Sequence, residues 1–188
     1  MEGKILAEYP NFFNKHWCEF LIGLAQTKLE EAGTVGAEID GYRVANGCWL
    51  GGMDLPQLKE IKQQVSIITG FPIENQEELH IVQYDIGGEY KVHHDYFSED
   101  TPDEKAEIGI SGNRTHSFLV YLNDDFEGGE TDFPILKKTI KPELGKGICW
   151  LNTYNGYPVE ESEHAGLPVT RGKKWILIVW VRENEFHR

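Results

Sequence analysis

Two periodicities divide the chain. Before about residue 78, apolar positions recur at helical spacing; beyond it they come in short runs rich in β-branched and aromatic residues. The segment NKHWCEFLIGLAQTKLEEAG puts Trp17, Phe20, Leu21 and Leu24 on one stripe. Asn14 can accept a hydrogen bond from the first free amides of that helix, and Gly33 is its expected stop. A second helix is predicted from DLPQLKEIKQQVSIITG. Asp54 is its expected cap, Pro56 sits in its first turn, and Leu58, Ile61, Val65 and Ile68 share a face.

The later runs, LHIVQY, YKVHHDYF, HSFLVYLN, GICWLN and WILIVWVRE, read as strands, separated by turns such as DIGGE and DDFEGGETD. Helices followed by many strands predict a β-rich α+β fold with helices packed on one face. A jelly roll or barrel-like double sheet is the closed form such strands can take. The 188 residues suit a single domain over 1–188, with 1–78 as a helical support region carrying early strands and 79–188 as the jelly-roll core.

Composition narrows the partners. With 40% hydrophobic and 26% charged residues the chain reads as an ordinary soluble protein, and a net charge of −13 argues against a nucleic-acid backbone as partner. There is no long apolar run for a membrane span and no signal-peptide pattern at the start. Cys18, Cys48 and Cys149 are widely spaced and form neither a zinc motif nor a disulfide framework, so a reducing, cytoplasmic setting is expected. The oligomeric state is not legible.

The candidate chemistry lies in YKVHHDYF. On a strand, positions i and i+2 face the same side, so His93 and Asp95 are expected together, with His94 turned away. His164, in the polar stretch ESEHAGLPV, is the best third ligand among the remaining histidines. Two histidines and a carboxylate on one face of a metal suit non-haem Fe(II) oxygen chemistry, and they also suit catalytic zinc. A zinc hydrolase would need a base, for which Glu89 and Glu130 are available; a hydrogen-bonded His–Asp pair without a metal is the plainest alternative. Lys174 opens a run, KKWILIVWVR, that is apolar on both faces. Its ammonium either snorkels to water or is buried and needs an anion, such as the carboxylate of a small acid near the metal.

Several blocks in order resemble the prolyl 4-hydroxylase family of Fe(II)- and 2-oxoglutarate-dependent dioxygenases. They are RVANGCWL, ITGFPIENQEELHIVQYDIGGEYKVHHDYF, GNRTHSFLVYLNDDFEGGETDFP and HAGLPVTRGKKWILIVWVRE. The resemblance implies a double-stranded β-helix (jelly roll, cupin-like) core. It implies His93, Asp95 and His164 as iron ligands, Lys174 and Tyr84 as contacts of 2-oxoglutarate, and Arg114 and Trp180 on the substrate side. It further implies O2 and ascorbate as reactants, and a proline-containing peptide or protein as substrate. A free amino acid, another protein side chain, or a non-catalytic metal-binding module are the alternatives. Gln83, Val92 and Leu167 depart from the family's usual arginine, proline and cysteine without removing a group that the reaction needs. The segments AGTVGAEIDGYRVANG and FSEDTPDEKAEIGISGN are expected to be lid loops over the barrel mouth.

Overall fold

A computed structural model of the chain describes residues 4–33 and 41–187. Its centre is a seven-stranded antiparallel sheet, ordered Leu6–Tyr9, Gly147–Leu151, Arg114–Tyr121, Lys174–Arg182, His80–Tyr84, Asn46–Trp49 and Glu30–Glu31. A smaller sheet of Tyr90–His93, His164–Gly166, Thr131–Phe133 and Lys138–Ile140 forms the second layer of a jelly roll. Helices α1 (Lys15–Ala25) and α2 (Pro56–Thr69) supply Cys18, Leu21, Leu58, Ile61 and Val65 to an apolar cluster with Phe118, Val120, Leu177 and Val179. Helices therefore cover one face of the large sheet, as the pattern predicted. The alternate residues of the same strands, Leu119, Tyr121, Ile176, Ile178 and Trp180, form the cluster between the two sheets. Among the described residues no helix is long and apolar enough to cross a membrane.

Helix ends depart from expectation in two places. Asn14 does cap α1, its side chain accepting from the Trp17 amide at 3.0 Å, but the helix ends at Ala25, well before Gly33. The intervening QTKLEE carries too few apolar positions to hold a helix on the core, and the chain enters the short strand Glu30–Glu31 instead. Leu55, not Asp54, occupies the N-cap of α2; Asp54 pairs with Lys59 at 2.6 Å. Gly70 ends α2 in the left-handed conformation, φ 79°.

The second expected lid holds a third helix, α3 (Pro102–Ser111). Its start carries a capping box. Thr101 Oγ1 accepts from the Glu104 amide at 3.2 Å, and the Glu104 carboxylate accepts from the Thr101 amide at 3.1 Å. Pro102 follows at the first helical position. Part of the first expected lid, residues 34–40, lies outside the described residues. Its end is ordered: Arg43 bridges to Tyr90, and Asn46 begins a strand.

Candidate metal centre and adjoining cavity

The two imidazoles come from neighbouring strands of the small sheet. His93 ends Tyr90–His93, His164 begins His164–Gly166, and the two are direct partners in the register. Asp95 does not lie on the strand with His93; the strand stops at His93 and Asp95 follows in a bend. The alternation argument for Asp95 thus gave the right neighbour by the wrong route. The bend is fixed by Asn113, which accepts from the Phe97 amide at 2.9 Å and donates to the Phe97 carbonyl at 2.8 Å. Ser117 donates to Asp95 Oδ2 at 2.5 Å, and Arg114 Nη1 reaches the Asp95 carbonyl at 3.4 Å.

One donor atom each from His93, Asp95 and His164 falls within 4.8 Å of the others, and among the described residues this triplet is the only such group. All three side chains are at most 7% exposed. His93 Nδ1 lies 2.7 Å from the Lys91 carbonyl, and His164 Nδ1 lies 2.8 Å from the Ser162 carbonyl. A carbonyl only accepts, so each Nδ1 carries the proton and each Nε2 turns a lone pair inward. His93 Nε2 then faces Asp95 Oδ1 at 3.5 Å, and His164 Nε2 faces Asp95 Oδ2 at 3.8 Å. Acceptors pointed at one another in a dry site repel unless a cation lies between them. Burial, with His93 adding to it, lowers the His164 pKa to about 4. Burial opposes the Asp95 charge, yet His164, His93 and Arg114 hold its carboxyl below the usual carboxylate range. Neutral imidazole and ionised carboxylate are the forms that ligate a divalent ion.

Lys174 lies 2% exposed beside this triplet, in a cavity that also has Tyr84, Leu119, Thr131, Trp150 and Ile176 in its wall. Lys174 is the direct register partner of Tyr84, and its ammonium sits 5.0 Å from the centre of that ring. The glycine turn makes room for it: Gly129 has φ 69°, and a Cβ there would come within 2.9 Å of Lys174 Cδ. No hydrogen bond or ion pair reaches Lys174 Nζ among the described residues. Burial pushes its pKa down to about 7, opposed only by Glu130. A buried cation without a counter-ion points to an anionic ligand.

The donor set, its free side and the adjoining cation fit an Fe(II) ion with a keto-dicarboxylate. A family model described as the 2OG-Fe(II) oxygenase superfamily matches residues 79–182, just over half of the chain. The chain belongs to this superfamily. The prolyl 4-hydroxylase subunit alpha-1 of Bos taurus is 33% identical over 179 residues, which are 90% of this chain and 33% of that protein. This oxygenase-superfamily chain thus spans about a third of the length of the animal subunits. A probable prolyl 4-hydroxylase 10 of Arabidopsis thaliana is 30% identical over 203 residues, covering 95% of this chain and 68% of the relative. Among solved structures, the viral collagen prolyl hydroxylase vCPH of Paramecium bursaria Chlorella virus-1, in its 2OG complex, superimposes with a TM-score of 0.78 at 27% identity, covering 96% of this chain and 97% of that one.

Of the residues singled out from sequence, His93, Asp95, His164, Lys174, Tyr84 and Trp180 meet at one cavity, while Arg114 lines the groove just outside it with Trp180. His94 turns away, its Nε2 3.3 Å from the Glu160 carbonyl. Glu89, the base a zinc hydrolase would need, pairs with Lys91 at 2.5 Å, and neither it nor Glu130 lines the cavity. Sequence reasoning missed Ser117 and the charged brace behind the site. There Glu77 takes a two-point bond from Arg114 at 2.7 and 2.9 Å and a third from Arg182 at 2.9 Å. Arg182 also binds the Glu107 carbonyl in α3. Within the brace, Arg114 was expected only on the substrate side, and Arg182 left a trace as a charge ending an otherwise apolar strand.

Proposed function

We propose that the chain is an Fe(II)- and 2-oxoglutarate-dependent hydroxylase acting on a peptidyl proline. The observation that carries this reading is a three-donor site with Lys174 beside it as an unmatched buried cation. His93, Asp95 and His164 would hold the iron. When bound, the iron supplies O2 activation coupled to decarboxylation of 2-oxoglutarate to succinate and CO2. The Lys91 and Ser162 carbonyls keep both imidazoles in the ligating tautomer, and Ser117 orients the carboxylate. Lys174 would receive the distal carboxylate of 2-oxoglutarate as a charge-assisted pair, with Tyr84 beside it. Leu119, Trp150, Ile176 and Ile178 keep that pocket dry, which strengthens the pairing.

The target carbon would enter from the groove lined by Trp180, Arg114, Tyr96 and Trp49, whose several aromatic rings suit a peptide better than a free amino acid. The family relatives named as prolyl 4-hydroxylases support the choice of proline. Three buried unpaired cysteines support a reducing, cytoplasmic setting. The test is succinate release with Fe(II), 2-oxoglutarate, ascorbate and a panel of proline peptides, followed by mass spectrometry. Stoichiometric succinate and one added oxygen on proline are expected. Added oxygen on another residue would replace the substrate, and peptide-independent inertness with iron bound would reject the reaction.

A further inference from the structure

The groove outside the cavity is asymmetric in charge. At its inner end Arg43 lies over the Tyr90 ring at 4.8 Å, next to the region assigned to the anionic co-substrate. Arg114, further out, is neutralised by its two-point pairing with Glu77. The outer rim is acidic. Glu104 lines the groove, and its carboxylate accepts from the neutral groups of Ser98 and Thr101, so its charge is not cancelled there. Glu160 reaches within 3.9 Å of His94 Nε2, with its side chain 72% exposed. The His94 ring lies beside the Tyr96 ring, centroids 4.6 Å apart, so Glu160 stands next to that ring.

Between these carboxylates lie aromatic faces. Trp49 is 47% exposed, and its inner face is stacked on His80 at 4.0 Å and 2°, which holds the ring rigid. Trp180 is 6% exposed, lines both groove and cavity, and its Nε1 has no partner among the described residues. A buried indole N–H without a partner, on a residue that lines the groove, calls for an acceptor such as a peptide carbonyl. Aromatic faces ringed by carboxylates recognise a cation through ring and charge together.

We propose that this groove selects peptides carrying a lysine or arginine beside the reacting residue, with the cationic side chain seated at Tyr96 and Trp49 near Glu104 and Glu160. The proposal deepens the function proposed above and rests on its assignment of the groove to a peptide. It assigns to the acidic rim a task of selection rather than of solubility alone.

The experiment measures binding, under argon, of the Fe(II)- and 2-oxoglutarate-loaded protein to three proline peptides that differ only in flanking residues: lysine, glutamine or glutamate. At low salt the lysine peptide should bind about fivefold to tenfold more tightly than the glutamine peptide, the scale of one or two partly exposed ion pairs. The glutamate peptide should bind more weakly than glutamine. The lysine preference should shrink towards unity in about 0.5 M salt and be reduced in the Glu160→Gln variant. Equal affinity for all three peptides, or a lysine preference undiminished in the Glu160→Gln variant, would overturn the proposal. Should that variant not fold, the glutamate peptide on the unaltered protein still decides. Charge-selective binding without oxygen transfer to any peptide would keep this assignment and reject prolyl hydroxylation; oxygen transfer without charge selection would do the reverse.

Discussion

The two faces of the large sheet are made by the same strands and bury opposite things. Along Lys174–Arg182, Trp175, Leu177, Val179 and Val181 turn towards the helices and meet carbon. Lys174, Ile176, Ile178 and Trp180 turn towards the small sheet, where Asp95, Ser117, Thr131 and His164 are also buried. The helix face is a core in the ordinary sense, and each methylene there stabilises the fold. The inner face holds a carboxylate and an ammonium at a cost in desolvation. Sites that break the rule of an apolar interior are where function is expected, and here the metal donors and the lysine face one cavity between the sheets.

That contrast can be broken by substitution. The largest effect is expected from His164→Ala or Asp95→Ala, which should lower succinate release at least about 10³-fold, as when one member of a catalytic unit is lost. Near-normal turnover in either variant would remove that residue from the metal site. Next, Lys174→Ala should raise the 2-oxoglutarate requirement about 30-fold or more, the scale of losing one partner of a buried charge pair. Lys174→Arg should also fail, since the guanidinium differs in shape and hydration. Lys174→Met should instead raise the melting temperature of the ligand-free protein, because it removes an uncompensated charge. On the opposite face, Leu177→Ala should cost about 2–5 kcal/mol in denaturant unfolding, with the KM for 2-oxoglutarate little changed.

Acidity sharpens the same contrast more gently. Lys174 titrates near 7 in the folded chain, below the 10.5 of a free lysine. Between those values the unfolded chain binds more protons, so ligand-free stability rises with pH across that window. Binding a carboxylate requires the ammonium, so 2-oxoglutarate affinity should fall by up to about tenfold per unit above pH 7, with uptake of a proton measurable by calorimetry in buffers of different ionisation enthalpy. A pH-independent affinity across that range would remove Lys174 as the anchor. The smallest effect is expected at the cap of α3, where Thr101→Ala should cost about 1 kcal/mol, seen as a lowered melting temperature.

The layout of the fold was legible because it rests on periodicity. Leu58, Ile61 and Val65 mark a helix face, and an apolar run such as WILIVWV marks a strand covered on both sides. Helix ends were less legible, since they depend on competing partners: Asp54 was drawn to Lys59 instead of capping α2. Helix α3 had a readable sign in Thr101, Pro102 and Glu104, but its weakly amphipathic, charged sequence hid it. The histidines could be singled out because their chemistry is rare on strands, and the carboxylate because it stands two positions from one of them. Their supports could not. Ser117, Glu77 and the carbonyls of Lys91 and Ser162 act only through tertiary neighbours, and backbone carbonyls carry no signature in sequence.

The central claim is that three buried side chains hold one divalent ion beside a lysine awaiting an acid. Anaerobic titration of the metal-free protein with Fe(II), followed by 2-oxoglutarate, tests it most directly. One ion per chain, lost in Asp95→Ala and retained in Lys174→Ala, with 2-oxoglutarate binding lost in both, is the predicted result. Unaltered iron binding in Asp95→Ala, or unaltered 2-oxoglutarate binding in Lys174→Ala, would contradict it.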